Sequence, residues 1–162
     1  GVKNQLVGVF STEYLDRLPS ILKRRGAENI MTVHSDDGMD EFSTSAVNRV
    51  CVLKNDKVLM NAIDPEVVGL HKSSLEDIQI KTKEEAVTSF VRVLNDTANR
   101  AMIETTALNA AGGLIVANIS KNFEEAVELA LDTIKSGKAF STLEKFVRDT
   151  GDISKLKEIS DG

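Results

Sequence analysis

With 162 residues, 41% hydrophobic and 28% charged, the chain has the length and balance of one ordinary folded domain, not of a disordered, fibrous or membrane-spanning segment. A charge of −5, from 20 Lys and Arg against 25 Asp and Glu, offers no general attraction for a phosphate backbone, so nucleic acid is not an expected partner. A single cysteine, Cys51, allows no internal disulfide, and the absence of any apolar run near ~20 residues or of a signal-like start leads us to expect a cytoplasmic protein with no membrane partner.

The first unit reads strand, helix, strand. Gln5 to Phe10 is a short apolar run, and Ser11 and Thr12 offer oxygens to cap a helix starting near residue 12, with Glu13 well placed at its positive end. Tyr14, Leu15, Leu18, Ile21 and Leu22 recur at helical spacing up to Gly26, while Pro19 should kink this helix or split it into two shorter pieces. A second strand over Asn29 to His34 then implies a crossover between parallel strands, in a sheet with helices on both faces. From Asn48 to Ile63, two apolar runs around Lys54-Asn55-Asp56-Lys57 predict an antiparallel hairpin.

Beyond Pro65 the pattern is helical. Ser73 with Glu76, Thr82 with Glu85 and Asn122 with Glu125 have capping-box spacing and mark three helix starts. Arg100 to Asn118 is apolar or small nearly all round and reads as a central buried helix, its Gly112-Gly113 pair being compensated by close packing. Phe123, Ala126, Val127, Ala130, Leu131 and Ile134 form one stripe ending at Gly137; Phe140, Leu143, Phe146 and Val147 form another ending at Gly151. The fold class expected is α/β: a parallel-sheet core with helices on both faces, a β-hairpin addition and a helical carboxyl-terminal half, with residues 1–162 as one α/β unit. Strands apolar on both faces, and a chain that opens on Gly1 and is soon in a strand, point to a piece of a larger domain.

Chemistry concentrates in His34 to Ser43, HSDDGMDEFS. Asp36, Asp37, Asp40 and Glu41 surround a Gly38 turn directly after the carboxyl end of a parallel strand, where open α/β sheets bind ligands. Clustered carboxylates repel unless a cation shares them, and hard oxygen donors with retained water suit magnesium together with substrate phosphates. The same composition also describes a solvated acidic turn. A calcium EF-hand is excluded, because Gly38 at its sixth position puts Val33 and Ser35 where acids are required. His34 reads as a structural histidine or a ligand contact, and His71 has no partner in the sequence. Cys51 reads as a small core hydrophobe, and Asn109 with Thr105 or Thr106 as internal hydrogen-bond partners. No G-x-G-x-x-G or G-x-x-x-x-G-K cradle is present.

The order NQLVGVFS, KRRGAENIMTVHSDDGMDEFS, ALNAAGGLIVA and GDISKLKEI, from Asn4 to Ile159, resembles the carboxyl-terminal part of the anthranilate phosphoribosyltransferase family, a glycosyltransferase group. The V-H-x-x-x-G-x-D-E block from Val33 to Glu41 is its most specific element. The resemblance implies a magnesium-dependent transfer of phosphoribosyl from 5-phosphoribosyl diphosphate (PRPP) to anthranilate in tryptophan biosynthesis, with Mg2+ as cofactor held by Asp40 and Glu41. It also implies that the family's diphosphate motif, lysine loop and anthranilate-contacting arginine lie upstream of Gly1. The chain alone would then be inactive, and would self-associate or pair with a missing amino-terminal half. Ser35, Ala46 and Asn48 depart from the family's usual glycine, glycine and threonine, which leaves the substrate amine open. A non-catalytic or phosphorylase-type relative, with the acidic loop as a binding surface, is the alternative.

Overall fold

The computed structural model describes residues 2–54 and 57–160. Strands β1 (Asn4–Gly8) and β2 (Asn29–Ser35) are parallel, and helix α1 (Arg17–Arg24) lies in the crossover between them. Strands β3 (Asn48–Lys54) and β4 (Lys57–Ile63) form the expected hairpin, which extends the same sheet because β3 runs antiparallel beside β2. The resulting four-stranded mixed sheet has the order β1-β2-β3-β4. The predicted turn centres on Asn55 and Asp56, which fall outside the described residues; Lys54 and Lys57 face each other across the ladder.

Register divides the core between the two faces. Met31 opposite Val52 and Val33 opposite Val50 point to one side, where Leu108, Ala111, Val127 and Phe42 complete the larger cluster. Ile30 opposite Leu53 and Thr32 opposite Cys51 point to the other, against Leu15, Leu18 and Leu22 of the crossover. Cys51 is fully buried, as expected of a small core hydrophobe, and burial pushes its thiol pKa up. The Thr32 hydroxyl is accommodated by donating to the Leu15 carbonyl at 2.6 Å.

The helix expected near residue 12 is two pieces. A short 3-10 turn, Thr12–Tyr14, is capped by the Ser11 hydroxyl, and α1 begins only at Arg17. Pro19 is then third in α1, inside the first turn, where a missing N–H sacrifices no intrahelical bond. The predicted cap at Ser73 moves one residue on: a 3-10 turn over Leu75–Ile78 follows Ser74, whose N–H donates to Asp77 Oδ2 at 2.9 Å.

Helix α2 (Lys83–Leu94) starts where expected, with Thr82 accepting from the Glu85 N–H at 3.0 Å. Helix α3 (Arg100–Val116) packs on β1 and β2 and against α4 (Phe123–Lys135), whose Asn122 cap and buried stripe match the expectation. Gly112 is in close contact, since a Cβ there would lie 2.6 Å from Phe42 Cε2, whereas Gly113 has open space. Gly137, at φ 73°, turns the chain into α5 (Lys138–Thr150), and α6 (Ile153–Ser160) follows. The second stripe is shallower than its periodicity suggests. No residue of α5 is buried and Phe146 is exposed, and Gly151 ends the helix in an extended rather than left-handed conformation.

Candidate functional site

Loop 36–47 leaves the carboxyl end of β2, beside the end of β1. Gly38, at φ 97°, occupies a conformation that disfavours side chains, and its N–H donates to the Ser35 carbonyl at 2.9 Å. The Ser35 N–H returns to the Met39 carbonyl and the Asp36 N–H to that of Val47, each at 2.9 Å, so the base of the loop is closed by backbone bonds.

The four carboxylates separate into two kinds. Asp36 receives a bidentate contact from Arg49, with Nε at 2.9 Å and Nη2 at 2.8 Å, and the guanidinium holds its carboxyl below the usual range. Burial opposes the charge on Asp37, but the nearby Ser43 hydroxyl and hydrogen bonds from Ser45 and the Met39 N–H outweigh it and lower its pKa too. These two acids are occupied in holding the loop. Asp40 and Glu41 are exposed, and their carboxylates take part in no hydrogen bond or ion pair among the described residues.

The backbone under that free pair is held on both sides. On one side, Gly8 at the end of β1 lies so close to Asp40 that a Cβ would overlap the Asp40 carbonyl oxygen and fall 2.7 Å from its carbon. On the other, Phe42 is fully buried, packs tilted against Phe123 with ring centroids 5.4 Å apart, and contributes about 1.5–3 kcal/mol of apolar burial as an anchor. Its N–H donates to Asn109 Oδ1 at 3.0 Å and its carbonyl accepts from Asn109 Nδ2 at 2.7 Å. Further along, buried Asn48 accepts from the Ser43 N–H at 2.7 Å and donates to the Ser43, Ala46 and Ile63 carbonyls. Thr44 bonds both Ser73 and Thr105 through its hydroxyl, each at 2.7 Å. Glu41 also sits on the rim of a cleft of about 250 Å³ lined by Met39, Ile78, Phe90, Met102 and Thr105.

His34 Nδ1 lies 2.9 Å from the Val9 carbonyl, a structural contact, so it does not join Asp40 and Glu41. His71, without a partner in the sequence, meets buried Glu104 of α3: its N–H and its Nδ1 each lie 2.8 Å from a carboxylate oxygen. Asn109 and Thr105 are internal hydrogen-bond partners, as expected. Sequence reasoning missed Arg49 and Gly8. The first was accessible from strand register, since Arg49 pairs with His34 and so lies beside Asp36, whereas the Gly8 contact joins residues 32 apart with no local signal.

Among the described residues no three His, Cys, Asp or Glu side chains are gathered closely enough to hold a metal. Asp40 and Glu41 still fit magnesium in one respect: it prefers hard oxygens, and sites using one or two carboxylates complete their octahedron with water and substrate phosphates. No helix among the described residues is long and apolar enough to cross a membrane.

Comparison with known proteins gives one direction. Residues 1–140 match the glycosyl transferase family, a/b domain. Anthranilate phosphoribosyltransferase of Nitrosopumilus maritimus is 86% identical over 161 residues, which cover 99% of this chain and 46% of the relative. Among solved structures, anthranilate phosphoribosyltransferase from Thermus thermophilus superposes with a TM-score of 0.76 at 31% identity, covering 87% of this chain and 41% of that one. The Saccharomyces cerevisiae enzyme in complex with PRPP and Mg shares the fold, with a TM-score of 0.75 at 22% identity over 94% of this chain and 42% of that one. The chain thus spans less than half the length of the relatives it matches.

Proposed function

Because this chain belongs to the glycosyl transferase family whose a/b domain it matches, we propose that it supplies the metal-binding side of an anthranilate phosphoribosyltransferase. The reaction is transfer of phosphoribosyl from PRPP to the amine of anthranilate with release of diphosphate, a step of tryptophan biosynthesis. The observation that carries this reading is the division of the acidic loop. Asp36 and Asp37 are consumed by Arg49, Ser45 and the Met39 N–H, and Asp40 and Glu41 are left free on a backbone held at both ends.

A solvated acidic turn has no need of that division. Four exposed like charges would relax apart, and nothing would favour pinning the backbone under two of them. Asp40 and Glu41 would hold Mg2+, leaving the remaining positions to water and diphosphate oxygens. A magnesium ion bound there supplies Lewis-acid neutralisation of the departing diphosphate while positive charge develops at the anomeric carbon. Asp36 and Asp37 keep the loop's shape, and Arg49 keeps Asp36 from competing as a donor. No general base is needed on this chain to ready the nucleophile, because an aromatic amine is already neutral at pH 7; the proton shed once the new C–N bond forms and the C–O bond to diphosphate breaks passes to water or the departing diphosphate. The yeast protein of the same fold in complex with PRPP and Mg is in keeping with this reading, and a cytoplasmic setting is proposed with it.

The isolated chain, under half the length of its relatives, is proposed to lack turnover and to self-associate. Among the described residues each outer strand, β1 and β4, pairs with a single neighbour, and β4 leaves Val58, Leu59 and Met60 exposed. Sedimentation over a range of concentrations, with an assay of anthranilate consumption, tests both parts; a strictly monomeric, fully active chain would contradict them. For the metal reading, magnesium titration followed by NMR should move residues 39–42 first and weakly. Shifts scattered over other acidic patches, with this loop silent, would sink it.

A further inference from the structure

Asn109 lies on α3 and touches no candidate ligand atom. Its amide is nonetheless committed to the segment that carries Asp40 and Glu41. Oδ1 accepts from the Phe42 N–H, Nδ2 donates to the Phe42 carbonyl, and Nδ2 also donates to the Thr105 carbonyl one turn earlier at 2.9 Å. The first two bonds mimic strand pairing with a single residue and fix both position and rotation of the backbone immediately after Glu41. The third bond ties the amide to its own helix, so it is held before the loop meets it.

The network extends further along α3. Thr105, one turn before Asn109, bonds Thr44, and Thr44 bonds Ser73. Loop residues 42 and 44 are therefore both referenced to one face of one helix. With the Gly8 contact on the far side, the backbone that carries Asp40 and Glu41 is fixed at both ends while their two carboxylates stay untied among the described residues.

We propose that Asn109 is a positioning residue for the metal pair: through Phe42 it sets the separation and direction of the Asp40 and Glu41 carboxylates, and so the affinity of the site for a divalent cation. This rests on the reading of that pair as metal ligands. Partners that orient ligands in this way typically change metal affinity about 10–100-fold when lost. A role confined to stability would lower the melting temperature and leave cation binding by the folded protein unchanged.

The test uses Mn2+ alone, as a paramagnetic stand-in for magnesium, added to the chain while amide NMR signals are followed. In the wild type, broadening should centre on residues 39–42. In Asn109→Ala, at the same Mn2+ concentration and with a dispersed folded spectrum, broadening at Asp40 and Glu41 should fall about tenfold. Asn109→Leu, which keeps the branching at Cγ, removes both polar groups and favours helix, answers the same question if the alanine variant does not fold. Wild-type broadening in a folded Asn109 variant would overturn the inference. The control is Asp40→Asn with Glu41→Gln: if this double variant broadens as the wild type does, the metal reading itself fails, and the two failures are thereby distinguished.

Discussion

Gly8 offers the sharpest test of how the loop is held. A Cβ at this position would overlap the Asp40 carbonyl oxygen and lie 2.7 Å from its carbon, and ordinary contact begins only at 3.4 Å. Both obstacles are backbone, so Gly8→Ala cannot be absorbed by a rotamer change; either β1 leaves its ladder with β2 or the Asp40 peptide moves outward by well over an ångström. The ladder is held by parallel pairing from Asn4 to Gly8 and continues in the Val9 N–H bond to Val33, so the loop is the side that yields. Overpacking of this kind costs about 1–3 kcal/mol, and at about 2–4 °C per kcal/mol for a chain of this size the melting temperature should fall by roughly 2–12 °C. A catalytic group displaced by about 1 Å can lose about 100-fold in rate. If the proposed function holds, Gly8→Ala in the full-length protein should therefore remain folded but lose magnesium-dependent turnover out of proportion to its stability. Melting curves and turnover against magnesium concentration measure both. Wild-type melting together with wild-type turnover would refute the close contact and the positioning argument built on it.

Neighbouring glycines of α3 should respond with opposite signs. Gly112→Ala meets Phe42 Cε2 at 2.6 Å and should destabilise by about 1–3 kcal/mol, while Gly113→Ala meets nothing and should stabilise by up to about 1 kcal/mol through helix propensity; denaturant midpoints decide. The Asp37 latch has a folded pKa below the ordinary aspartate value of about 3.9. Its stabilising contribution is thus present above that value and lost as pH falls through the lower folded one, and NMR titration of the Asp37 side-chain carboxyl carbon should show a midpoint beneath it; one above would contradict the hydrogen-bond account. Cys51, buried and with its thiol pKa raised, should react with an alkylating reagent only as fast as the chain opens, so the native rate should track stability across variants.

Local chemistry explains which parts of the fold were readable. Thr82 and Asn122 cap their helices because side-chain and backbone partners lie three residues apart, and the consecutive apolar Val50, Cys51, Val52 and Leu53 announce a strand covered on both faces. The acidic loop was legible for similar reasons, since a strand end, a glycine turn and four acids are contiguous. What the contiguous acids do not reveal by themselves is their assignment to different tasks. That depends on Arg49 arriving from β3, Ser45 folding back, and Asn109 reaching over from α3, 67 positions from Phe42. The Ser73 cap slipped to Ser74 because adjacent serines offer equivalent oxygens and Asp77 competes with Glu76 for the same turn. The stripe of α5 misled because periodicity states which face is apolar and not how deeply it is covered.

The central claim is that Asp40 and Glu41 serve chemistry and not the fold. It is tested most directly by Asp40→Asn with Glu41→Gln in the full-length protein, measuring the proposed phosphoribosyl transfer to anthranilate against magnesium concentration alongside the melting temperature. Neither carboxylate has a partner among the described residues, so stability should stay within about 0.5 kcal/mol of wild type or improve as like charges are removed. Turnover should fall steeply, with part of the loss recovered at high magnesium. Normal turnover with an unchanged magnesium dependence would contradict the account and leave the loop a solvated acidic turn.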